Sequence, residues 1–146
     1  MASGVSVKDE CKQVFTDIKL GRKYRYVVYR LTDDLKEITV ESTAGVEASY
    51  DDFVDQFKAA ESSGQCRYGV FDAEYQTKDG NTKNKLVFFM WSPDGAKIKQ
   101  KMVYSSSKDA LKRALGEGIG KEVQANDHGD LDWSNVKEII SRMDRN

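Results

Sequence analysis

W-S-P-D-G-A-K-I-K-Q-K-M-V-Y-S-S-S-K-D-A-L-K-R-A-L, residues Trp91 to Leu115, is the stretch whose reading decides the fold. An apolar run, Leu86 to Trp91, leads into it, and Pro93 ends any strand there because proline has no amide hydrogen to give a sheet. Pro93-Asp94-Gly95 reads as the turn into a helix, with the acid near the positive helix start. On a wheel of about 100° per residue with Lys97 at zero, Ala96, Val103, Ala110 and Ala114 fall between roughly 220° and 260°. Leu111, Tyr104 and Leu115 carry that arc towards 360°, which makes a broad apolar face suited to a sheet; Gln100 falls inside it.

The opposite arc, roughly 40° to 200°, holds Lys99, Lys101, Lys112, Arg113, Ser105, Ser106 and Asp109. It also holds two apolar residues, Ile98 and Met102. They either pack under a neighbouring loop or mark a helix that resets its phase near Ser105 to Ser107, since scattered exposed apolar residues are ordinary. Alternatively they form a contact surface, an adaptable Met and an Ile ringed by lysines, suited to an acidic partner with an apolar cleft.

Upstream, Met1 to Val5 reads as a flexible tail. Ser6 and Asp9 hold capping-box positions for a helix whose apolar face is Val7, Cys11, Val14, Phe15 and Ile18, ending at Gly21. Tyr24 to Leu31 is β-rich and apolar on both faces, an interior strand. Asp33-Asp34 turns it into a second strand in which Ile38 and Val40 alternate with Glu37, Thr39 and Glu41. Ser49 caps a helix with Tyr50, Phe53, Val54 and Phe57 on one face. Cys66 to Thr77 and Lys83 to Trp91 are long strands joined by K-D-G-N. Downstream of the organising helix, Gly116 to Gly120 interrupts the chain and Glu122 to Ala125 suggests a short edge strand. Asp132 then caps a last helix with Val136, Ile139, Ile140 and Met143 as its stripe, Leu131 and Val136 forming a staple. The order α-β-β-α-β-β-α-β-α predicts an α/β (mixed α+β) domain, residues 1–146, with helices on both faces of a central mixed sheet.

The 146 residues carry 23 Lys and Arg against 24 Asp and Glu, a net charge of −1, so no global basic field favours nucleic acid. No apolar run approaches the roughly twenty residues needed to span a bilayer, and the first ten lack a signal peptide's core. Cys11 and Cys66 read as buried free thiols of the cytosol, without metal-ligand spacing. His128 in N-D-H-G-D stands alone and reads as a flexible surface residue. Asp72 and Glu74 share a strand face, which reads as solvated, and G-E-G-I-G lacks the lysine of a phosphate loop. Neither an enzyme nor a cofactor or metal site is expected. Lys97, Lys99, Lys101, Lys108, Lys112 and Arg113 gather on one helix. Such a run is ordinarily a solvated face, and it also suits acidic proteins or anionic lipid headgroups.

The organising stretch closely resembles the signature of the actin-depolymerising factor/cofilin family, W-x-P-D-x-A-x-x-K-x-K-M-x-Y-x-S-S-K-D-x-L. Trp91, Pro93, Asp94, Ala96, Lys99, Lys101, Met102, Tyr104, Ser106, Ser107, Lys108, Asp109 and Leu111 match it, and the N-terminal M-A-S-G-V-x-V matches as well. The resemblance implies the ADF-homology (cofilin-like) fold, a five- to six-stranded mixed sheet sandwiched by four to five helices. It implies a monomeric protein that binds G- and F-actin, prefers the ADP state, severs filaments and promotes depolymerisation. It implies a monomer-binding surface of Ser3, Gly4, Val5, Ile98, Lys99, Lys101 and Met102. Lys83, Lys85, Lys137, Glu138 and Arg142 are the nearest candidates for a filament surface. Phosphoinositide lipids are expected at Lys99, Lys101, Lys108, Lys112 and Arg113. Ser3 is the expected phosphorylation site of a regulatory kinase and phosphatase, a phosphate adding about −1.5 to −2 charges to the tail. A coactosin-like filament-side binder that does not sever, and a phosphoinositide-binding module, are the alternative readings. Lys97 replaces a proline of many relatives, adding charge to this face. Location is expected to be cytoplasmic, on the actin cytoskeleton; the basic nuclear-import cluster of some relatives is absent, R-K-Y-R from Arg22 to Arg25 being a poor substitute.

Overall fold

A computed structural model describes residues 4–21 and 23–141 of the chain. The interior strands form first in the logic of the sequence, because their apolar residues face both ways. Tyr26–Leu31 (β2), Arg67–Gln76 (β4) and Thr82–Trp91 (β5) are the middle of a six-stranded sheet. Glu37–Ala44 (β3) pairs antiparallel with β2, and two parallel strands close the edges, Ser6–Val7 (β1) on β3 and Ile119–Ala125 (β6) on β5. The order across the sheet is β1-β3-β2-β4-β5-β6. Asp9–Gly21 (α1) and Ile98–Leu115 (α3) cover one face, Tyr50–Ser62 (α2) and Trp133–Ser141 (α4) the other. The mixed sheet sandwiched by helices is as expected.

Alternation along the strands divides the core in two. Val27, Tyr29, Tyr68, Val70, Phe88 and Met90 pack with Cys11, Phe15 and Ile18 of α1 and Tyr104, Leu111 and Leu115 of α3. Tyr26, Val28, Phe71, Val87, Phe89 and Trp91 pack with Phe53 and Phe57 of α2 and Val136 and Ile140 of α4. Each large apolar side chain buried this way contributes about 1.5–3 kcal/mol relative to exposure. Gly69 gives α2 its close approach, since a Cβ there would lie 2.7 Å from the Phe53 ring. Ser49 caps α2 as expected, its hydroxyl accepting the Asp52 amide hydrogen at 3.1 Å.

Several expectations are corrected. Ser6 does not cap α1. Ser6 and Val7 form β1 with Val5 buried just ahead of it, Ser6 N–H donating to Lys36 O and Lys8 N–H to Ile38 O, both at 3.0 Å. Pairing both backbone groups while burying Val5 outweighs a solvent-exposed cap. Val5 is 2% exposed and belongs to the core, not to a flexible tail. Asp94 is not in the first turn of α3, which opens at Ile98 and carries no acid there. β6 begins at Ile119, three residues before the expected edge strand. A 3-10 turn, His128–Leu131, precedes α4 and was not foreseen. Asp72 is not on a solvated face: it is buried and accepts the Asn84 amide at 3.1 Å. His128 is held by Glu61, Nε2 to Oε1 at 2.6 Å, rather than loose. Met143 of the last helix's stripe lies outside the described residues.

Candidate functional site

Helix α3 is fixed at its start by backbone and at its middle by buried side chains. Lys97 is extended, its N–H donating to Gly64 O at 3.0 Å, and its own carbonyl accepts the Lys101 amide hydrogen. Gln100, the polar residue on the apolar arc, accepts the Cys66 N–H at 3.3 Å with its side-chain oxygen. One turn on, the Tyr104 phenol oxygen accepts the Leu31 N–H at 2.9 Å, and Tyr68 donates to the Tyr104 carbonyl at 2.5 Å. These bonds and the Leu111 and Leu115 contacts fix the helix's rotation. The helix runs unbroken through Ser105 to Ser107, so no phase reset occurs.

That rotation leaves Ile98 76% and Met102 64% exposed, one turn apart on the outer face. Neither lies under a loop. Lys99 is exposed beside them and has no partner among the described residues, while Lys101 Nζ donates to Asp94 O at 2.6 Å. β1 packs against α3, which brings the exposed Gly4 into the same region. Val5 next to it turns its side chain into the core, so only its backbone reaches this surface. Ser3 lies outside the described residues.

The other basic residues are deployed differently. Lys108 and Lys112 both donate to the Glu122 carboxylate, at 2.6 and 2.5 Å, tying α3 to β6. Burial pushes the Glu122 carboxyl up, but the two lysine hydrogen bonds outweigh it and hold it below its usual range. Arg113 and Lys97 remain exposed. Nothing local in the sequence marked Glu122 as the partner, because strand and helix meet there only through the fold.

Lys83 and Lys85 occupy strand positions that face the α2 and α4 side, where the Lys85 ammonium lies 5.4 Å over the Tyr75 ring. Lys137 and Glu138 are exposed on α4, on that same side of the sheet. Arg142 lies outside the described residues. The sheet therefore separates this second group from α3.

Thiol chemistry is suppressed throughout: burial pushes the Cys11 thiol up to about 12 and raises Cys66 as well. Among the described residues no three His, Cys, Asp or Glu side chains gather as a metal site.

Comparison with known proteins gives concordant matches. Residues 4–141 match the family described as cofilin/tropomyosin-type actin-binding protein. Cofilin of Ogataea parapolymorpha is 48% identical over 141 residues, covering 96% of this chain and 94% of that protein. The crystal structure of Streptomyces griseoflavus cofilin superposes with a TM-score of 0.85 at 39% identity, covering 95% of this chain and 98% of the other. Coactosin from Entamoeba histolytica, at 19% identity and a TM-score of 0.73 over 94% and 95% of the two chains, shares the fold.

Proposed function

Because the chain belongs to the actin-depolymerising factor/cofilin family of actin-binding proteins, we propose that it binds both actin monomers and filaments, severs filaments and promotes depolymerisation. The observation that carries the monomer-binding part is the exposed Ile98 and Met102 pair beside the unpaired Lys99. An apolar pair of this size, held on a rigid helix and flanked by cations, suits a partner with an apolar cleft and an acidic rim. Gly4 and the Val5 backbone, with Ser3 ahead of them, extend that surface. Lys83, Lys85, Lys137, Glu138 and Arg142 supply the filament surface in this reading.

Phosphoinositide headgroups compete for Lys99, Lys101 and Arg113, with Lys108 and Lys112 contributing charge that Glu122 partly offsets. A kinase and a phosphatase act on Ser3, where added negative charge opposes an acidic partner. The protein works as a non-enzymatic regulator in the cytoplasm, on the actin cytoskeleton.

The deciding experiment is actin co-sedimentation with a Lys99→Ala, Lys101→Ala double variant. The variant is expected to keep its melting temperature within a few degrees and lose binding; unchanged binding would remove α3 from the site. Filament length under the microscope tests severing, and filaments that are bound but uncut would favour the coactosin-like reading. Ser3→Glu should slow pyrene-actin disassembly, and equal activity would remove the switch.

A further inference from the structure

Helix α3 begins without the usual local supports. Its N-cap, Lys97, makes no side-chain capping bond, and its first turn carries no acid. Helix α2 has both, in the Ser49 cap and the acids Asp51 and Asp52. An uncapped turn leaves leading amide groups without acceptors and frays readily. The buried side chains of α3 begin only at Tyr104. Ile98, Lys99 and Met102, which form the contact surface, all lie ahead of it.

The segment between α2 and β4 holds these turns instead. Gly64 O accepts the Lys97 N–H at 3.0 Å, and the Lys97 stem lies across Gly64, where a Cβ would come 3.4 Å from Lys97 Cγ and Cε. Three residues on, half-buried Gln100 accepts the Cys66 N–H at 3.3 Å through Oε1. Cys66 is fully buried and β4 starts at the next residue, so the anchor is an interior strand of the sheet. Lys101, by contrast, reaches only the carbonyl of exposed Asp94. Gln100 breaks the apolar arc of the helix, and this bond accounts for it: an apolar side chain there would leave the Cys66 amide without its acceptor.

At about 100° per residue, Gln100 lies about 160° around the helix from both Ile98 and Met102. A pin on that side fixes where the opposite side points. A side chain roughly 6 Å from the axis moves about 3 Å when the helix turns by about 30°. We propose that Gln100 is a positioning residue for partner binding: its bond to the Cys66 amide holds the uncapped turns of α3 in register, so that Ile98, Lys99 and Met102 meet the actin monomer already ordered. Groups ordered before docking bind more tightly because less freedom is lost on association. The inference rests on the monomer-binding reading above and adds to it a residue outside the contact surface.

Gln100→Met and Gln100→Glu test it. Methionine matches glutamine in length and helix propensity but offers only a weak sulfur acceptor, whereas glutamate keeps the oxygen. Monomer affinity is measured by fluorescence titration. Cys66 amide exchange and the N–H residual dipolar couplings of residues 98–103 are measured by NMR on the free proteins. Gln100→Met should bind monomers about tenfold more weakly, lose Cys66 amide protection and change the couplings, with its melting temperature within a few degrees of wild type. Gln100→Glu should restore the protection and the couplings, and bring affinity back to within about threefold. A Gln100→Met protein that binds as tightly as wild type would overturn the proposal. So would an equal loss in Gln100→Glu, because the acceptor would then not matter. Weakened binding with unchanged couplings would make Gln100 a contact rather than a positioning residue, and would overturn it too. A wild type that binds no monomer would sink the monomer-binding reading instead, and the couplings alone would then decide whether Gln100 sets the rotation of the helix.

Discussion

Tyr104 and Ser107 sit one turn apart on the buried side of α3, and their hydroxyl groups are in opposite situations. The Tyr104 oxygen accepts the Leu31 N–H, so Tyr104→Phe leaves a buried donor unpaired and should cost about 1–3 kcal/mol. The Ser107 hydroxyl is fully buried without a partner among the described residues. Ser107→Ala removes an unpaired group and should be neutral or up to about 1 kcal/mol stabilising. Urea unfolding of the two variants checks both signs at once. A Ser107→Ala loss as large as that of Tyr104→Phe would mean that a buried water satisfies the hydroxyl. On the same wheel Ser107 lies at about 280°, so its burial was legible in spacing, whereas its lack of a partner was not.

At the scale of elements, the clamp of Glu122 by Lys108 and Lys112 joins α3 to an edge strand that, among the described residues, pairs only with β5. The Glu122 carboxyl is held below its usual range, so ionised Glu122 binds its proton less readily folded than unfolded. Its contribution is therefore present above the unfolded pKa, about 4.3 for a free Glu, and is lost as pH falls through the lower folded value. Glu122→Gln should lower the melting temperature by a few degrees at pH 7, and the gap from wild type should close in acid below about pH 4. A gap that persists unchanged in acid would assign the loss to packing rather than to charge. The same clamp tempers the helix's basic face, because two of its lysines are already partnered. β1 makes the complementary point at the opposite edge. The pattern of Val5 inward, Ser6 outward and Val7 inward was present in the sequence, but a run of three residues is too short to distinguish a strand from a helix entry.

For the whole molecule, the consequence is separation. Ile98, Lys99 and Met102 lie over the α1 and α3 core, whereas Lys83, Lys137 and Glu138 lie on the α2 and α4 side. The six-stranded sheet stands between them. Perturbations at sites on opposite faces of the sheet should combine independently. Lys83→Ala with Lys137→Ala is expected to weaken filament co-sedimentation while leaving monomer binding within about twofold, and the α3 double variant to impair monomer binding. Fluorescence titration with monomers beside co-sedimentation with filaments measures both. If the strand and α4 variant weakened monomer binding as strongly as filament binding, the two-surface reading would fail.

The sequence by itself determined the elements and their inner faces. Period-two and period-3.6 runs of apolar residues depend only on local geometry, so β2, β4, β5, α2 and α3 were legible, as was the place of Ile98 and Met102 on the arc opposite the core face, although their exposure was not. The matched residues between Trp91 and Leu111 carried the family as well. The tertiary structure alone decided which polar groups meet. Glu122 with Lys108 and Lys112, His128 with Glu61, Gln100 with the Cys66 amide, and Asp72 with Asn84 are each brought together by sheet order and helix placement across 10 to 67 residues of chain. A hydrophobic face announces itself by repetition, but a hydrogen bond needs two particular atoms within about 3 Å. No repeating pattern encodes that distance, so partners appear only once the chain has folded.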